Sequence, residues 1–177
     1  MKRVSATAML LAALACGACS PSQVFAPEVM EGVDQEFDFS RWRALPNQDE
    51  DKKVELGGAI LQSDVKGDTV TLVLRQLPIV KHPAYGPKDT GKRSGEFAAT
   101  FSGTLEPKFL QRGNRVVVVG TTRLAKVVVV DDIPRSLPNL EVKCLHVWNT
   151  GGREIADFPS FGAGYETLEN QTWCTPK

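Results

Sequence analysis

This chain has few of the side chains that bind metals or carry protons near neutral pH. Its 177 residues include two histidines, His82 and His146, and four cysteines. A metal site needs three or four ligands at workable spacing; neither histidine lies in such a set, so both read as structural. A dominant charge is missing too, since 21 basic residues balance 21 acidic ones. That balance excludes the electrostatic footprint of a nucleic-acid binder and a polybasic membrane patch. Past the first 15 residues no apolar run approaches the roughly 20 residues that span a bilayer. Gly57 and Gly58 lack the dinucleotide-binding spacing and open no helix. Ser94 and Ser102 have neither a nucleophile elbow nor a base nearby. The acids Asp49-Glu50-Asp51 and Asp131-Asp132 fall in expected turns or solvated loops. The expectation is a protein with no cofactor, no metal and no enzymatic activity.

What is present starts at the N-terminus. Met1-Lys2-Arg3 leads into the uncharged run Val4–Ala15, then Cys16-Gly17-Ala18-Cys19-Ser20. Two cations, a short apolar core and small residues before a cysteine are the parts of a secretory signal. The cysteine at the cut resembles the lipobox of bacterial lipoproteins, in which the new N-terminal cysteine is acylated. Ala13-Leu14-Ala15 favours Cys16 as the lipidated residue, with Cys19 as the alternative. Without Lys2 and Arg3, 19 basic and 21 acidic residues remain. About 160 residues then form one domain of ordinary size, with the lipid as the only membrane contact.

Residues 16–45 read as a tether and clasp, the tether extended through Pro21 and Pro27 to Met30. Phe37, Phe39 and Trp42 form the clasp, as a short strand or one helical turn. The β-domain spans 46–148. Its strands are Val54–Leu61 with glycines at its centre, Thr69–Leu77, Glu96–Phe101, Arg115–Gly120, Lys126–Asp131 and Asn139–Trp148. Asp64–Asp68 is the first hairpin turn, Pro107 opens a short helical turn, and Pro134 and Pro138 bracket another turn. Residues 149–177 form a tail rich in glycine and aromatics. The fold class expected is all-β: a small, partly open, OB-like barrel of five or six strands. Cys144 and Cys174 are candidates for a disulfide tying the tail to the last strand, worth about 3 kcal/mol for a loop of roughly 30 residues. The alternative is one buried and one exposed thiol.

The order of these features resembles the Slp family, starvation-inducible lipoproteins of the Gram-negative outer membrane. The resemblance rests on Val54-Glu55-Leu56-Gly57-Gly58-Ala59-Ile60-Leu61, Leu77-Pro78, Ser94-Gly95-Glu96-Phe97, Gly103-Thr104-Leu105-Glu106-Pro107 and Gly113–Gly120. It departs from the family pattern at Glu96, at Glu106 and in Leu137-Pro138-Asn139-Leu140. The resemblance implies an outer-membrane anchor, a domain facing the periplasm and an envelope-stress role. It implies no established reaction and supplies no catalytic residues. A second reading, by fold analogy, is a module binding an envelope glycan or peptide. Its contacts would come from the 82–95 loop, with His82, Tyr85 and Lys88 as candidates.

Overall fold

The computed structural model describes residues 24–92, 94–160 and 168–176. Its strands are β1 (Lys53–Lys66), β2 (Thr69–Leu77), β3 (Ile79–Val80), β4 (Gly86–Pro87), β5 (Glu96–Ser102), β6 (Arg115–Val130), β7 (Ile133–Trp148) and β8 (Asn170–Cys174). Two short helices, α1 (Pro27–Met30) and α2 (Phe39–Ala44), precede them, and a 3-10 turn spans Pro107–Leu110. Six strands form one sheet in the order β5-β2-β1-β6-β7-β8, and a parallel pairing of β5 with β7 closes it into a ring. Numbered within the ring alone, the strands run 1-2-3-5-4, with the 3-10 turn between the third and fourth. The chain is all-β, as its alternation and turn spacing predict.

Alternation places the core. From β2, Val70, Leu72 and Leu74 point inside the ring; there they meet Phe97, Ala99 and Phe101 of β5 and Val116 and Val118 of β6. The ends of the ring are filled by aromatics. Asp38 caps α2 by accepting from the backbone N–H groups of Ser40 and Arg41, so the clasp is a helical turn. That helix presents Phe39 and Trp42 to Phe97, with centroids 5.8 and 6.2 Å apart. Phe109 of the 3-10 turn meets Trp173 of β8 edge-on at 4.9 Å.

Four sequence expectations change. First, β1 extends to Lys66, so the first turn shrinks to Gly67-Asp68. Its bulge lies between Ile60 and Gln62, beyond the glycine pair. The glycines permit close approach: a Cβ at Gly57 would stand 2.8 Å from Ile79 Cγ1 and from the Leu77 carbonyl. Second, the fourth and fifth strands are one, β6, with a register shift between Arg123 and Lys126 absorbing the polar break. Third, the reversal falls at Asp131 and Asp132, at φ +49° and +63°, rather than between the prolines. Pro134 lies where β7 has a neighbour on one side only, and Pro138 lies at the register shift; a missing N–H donor is tolerated at both. Fourth, the tether is shorter than expected. Val24, Phe25, Val29, Met30 and Val33 pack onto the outer face of β6 and β7.

The tail contributes β8, which pairs antiparallel with β7 and sets Cys144 opposite Cys174. The two are joined by a disulfide.

Candidate functional site

Three covered regions decorate the outside of the ring, and the candidate residues divide among them. Val117 and Val119 of β6 and Cys144 of β7 form the floor of the first. Phe25 and Tyr85 lie over it, each under a tenth exposed. Tyr85 therefore points into the protein rather than to a rim, and its hydroxyl donates to Glu55. Burial raises the pKa of the Glu55 carboxyl against the opposing effects of Tyr85 and Lys81. Burial first, then Glu55, also holds the Tyr85 phenol well above its ordinary value. His82 is exposed and Lys88 is half-buried, so the three loop candidates do not share one surface.

His146 lies on the same face as Val117, its register partner. Its Nδ1 is 2.7 Å from Thr172 Oγ1, its buried Nε2 has no partner among the described residues, and its ring meets Trp148 edge-on at 4.2 Å. Burial pushes its pKa down to about 4, so it is a neutral structural imidazole at neutral pH. Ser94 Oγ donates to the Gln76 carbonyl at 2.8 Å. Asp49 faces Arg41, and Asp51 pairs with Arg123. Among the described residues no three His, Cys, Asp or Glu side chains converge as metal ligands. Cys16 and Cys19 lie outside the described residues.

The second region forms where the far half of the β6–β7 hairpin folds back as an arm over the outer face of β2 and β5. Val130 and Leu137 pack on Val73 and Ala98. Lys126 Nζ donates to Thr71 Oγ1 and Thr100 Oγ1 at 3.1 and 3.0 Å. Gln62 Nε2 donates to the Val129 carbonyl at 2.8 Å. Barrels with this strand order commonly use that face, between the hairpin loops, as a ligand platform. Here the chain's own arm occupies much of it and leaves a groove of about 650 Å³ toward the β1–β2 tip. The exposed side of the arm carries Leu124, Val127, Val129 and Ile133, each more than half exposed.

The third region is a cleft lined by Arg75, Arg112, Arg115 and Arg153. Sequence reading missed it because these residues come from β2, the loop before β6, the start of β6 and the segment after β7. No spacing links them, and only ring closure brings them together. The one sequence signal is that 112 and 115 flank Gly113-Asn114, a turn between two structured elements.

No helix among the described residues is long and apolar enough to cross a membrane. A family model described as "Outer membrane lipoprotein Slp family" matches residues 16–172. No curated protein matches the chain.

Proposed function

The chain belongs to the outer membrane lipoprotein Slp family, and on that premise we propose that it is a non-enzymatic protein, anchored by acyl chains on its N-terminal cysteine. Its β-domain would face the periplasm and act in envelope integrity under stress. The observation that carries this reading is where the match begins: residue 16 is Cys16 itself, at the end of the apolar signal. Acylation at that cysteine supplies about 0.8 kcal/mol per buried methylene, so two or more chains hold the protein stably.

The packed N-terminal segment adds a distance. From Cys16 to Val24 is eight residue steps, at most about 28 Å fully extended; from Cys19 it is five, about 18 Å. The anchor thus holds the domain against the bilayer surface, since residues 24–33 belong to the domain rather than to a spacer. The non-enzymatic reading draws on how the reactive groups are used. Ser94 donates to a backbone carbonyl, His146 is buried and neutral, Glu55 accepts from the Tyr85 hydroxyl, and Asp49, Asp51 and Glu96 face arginines.

Fractionation of the envelope on a density gradient, with protease added to intact cells, tests location and orientation together. The expected result is recovery with the outer membrane and resistance to protease until the outer membrane is permeabilised. Recovery with the inner membrane, or digestion in intact cells, contradicts the proposal.

A further inference from the structure

We propose that the cleft between the β6 entry loop and the segment after β7 is a binding site for an oxyanion, a phosphate or carboxylate group of a small ligand. The inference goes beyond the anchor and does not depend on it. The cleft has room for about 300 Å³ and is lined by Arg75, Arg112, Arg115, Arg153 and Glu154. An adjoining cleft shares Arg75 and Arg112 and adds Arg135. Five of the ten arginines of a chain with no net charge gather here, and among the described residues no lysine lines either cleft. That bias is chemically specific, because the planar guanidinium fork matches oxyanion geometry and an ammonium does not.

The charges of the described cleft residues are not balanced. Arg75 pairs with Asp89 at 2.9 Å and Arg135 with Glu96 at 3.2 Å. Arg112, Arg115 and Arg153 have no ion pair among the described residues, against the one carboxylate of Glu154. Arg115 is the unusual member. It is 4% exposed, its buried Nε has no hydrogen-bond partner among the described residues, and its guanidinium stands 6.0 Å from the Phe158 ring. Burial, with Arg75 adding to it, disfavours its charged form, while Asp89 and Glu154 oppose them. A cation this buried is costly unless paired, and an oxyanion in the cleft supplies that partner.

The arrangement is built rather than incidental. Asn114 and Thr150 are fully buried, and Asn114 Oδ1 accepts from the Thr150 N–H at 2.9 Å. Asn114 Nδ2 donates to the Lys108 carbonyl at 2.9 Å, and the Gly113 N–H donates to the Ile60 carbonyl at 2.8 Å. Gly113, at φ +92°, lets Gly152 approach: a Cβ there would be 3.4 Å from the Gly152 Cα. These contacts fix the loop carrying Arg112 and Arg115 against the segment carrying Arg153, whose Nε donates to the Thr150 carbonyl at 3.2 Å.

Calorimetric titration of the full mature chain with inorganic phosphate and with acetate, against sodium chloride at matched ionic strength, tests the site. NMR of the arginine Nε–H groups is read in parallel. The expected result is saturable binding of phosphate or acetate with a shift of the Arg115 signal, weakened at least tenfold in Arg112→Gln/Arg153→Gln. Both of those positions are exposed, so that variant keeps its fold, checked by an unchanged melting temperature without anion. Arg115→Lys, which keeps the charge and loses the fork, is expected to weaken binding similarly. Saturation by phosphate alone assigns a phosphorylated ligand, and by acetate alone a carboxylated one. Titrations indistinguishable from chloride, or a double variant that binds like wild type, overturn the site.

Discussion

The chain contains two runs of four valines, Val116–Val119 and Val127–Val130, and both lie in β6. All four side chains of the first run are fully buried. In the second, Val127 is 69% exposed and Val129 55%, while Val130 is buried against Val73. Composition and strand are the same and both runs pair with β7, so none of these alone sets burial, although only the first run also pairs with β1. What differs is the cover. The first run has the ring core on one side and Phe25, Tyr85 and Cys144 on the other. The second has a partner on one side only. A strand buried on both faces is thus made by its neighbours, and here part of that cover comes from the N-terminal segment that carries Phe25.

Breaking the comparison directly gives the largest expected effect. Val118→Asp places a carboxylate in the ring core and is expected to cost at least about 4 kcal/mol, enough to abolish cooperative unfolding. Val127→Asp is expected to stay within about 0.5 kcal/mol of wild type in urea denaturation. Removing the outer cover comes next: Phe25→Ala should cost about 3 kcal/mol by the same measurement. Losing Cys174, in Cys174→Ser, frees β8 and should cost about 3 kcal/mol through the roughly 30-residue loop, seen as a drop in melting temperature that reductant reproduces in wild type.

His146 sharpens the comparison through pH. Its folded pKa of about 4 lies below the ordinary 6.5 because it shares the covered face. Its contribution is therefore full above pH 6.5 and is lost as pH falls from 6.5 toward 4. At about 1.4 kcal/mol per pH unit the loss approaches about 3 kcal/mol. His146→Phe should flatten that part of the stability profile, and an unchanged acid limb would show that another group controls it.

Much of the ring was legible because its signals are local. The alternation of Thr69–Leu77, Pro107 at a helical start and Gly113-Asn114 at its end each follow from rules of period and punctuation. Cys144 and Cys174 stood out as a pair by compartment. The arm was not legible, because a polar stretch at Thr121–Ala125 reads as a break when the strand's curvature and register shift are invisible. Asp131-Asp132 read as a turn or solvated loop, but Pro134 and Pro138, the stronger punctuation, set the expected reversal a few residues too late. Tyr85 looked like a rim residue among Gly and Pro; it packs with Phe25, Val117 and Val119, and its hydroxyl donates to Glu55, 30 positions earlier. The arginine cleft has no local signature at all. It is a product of closure, as is the different fate of the two valine runs.

The most direct test of the account is the intact mass of the protein purified from the outer-membrane fraction, with Cys16→Ser and Cys19→Ser alongside. The prediction is a chain beginning at Cys16 and carrying acyl chains, with acylation lost in Cys16→Ser and kept in Cys19→Ser. An unacylated chain, or one whose acylation survives Cys16→Ser, would contradict it.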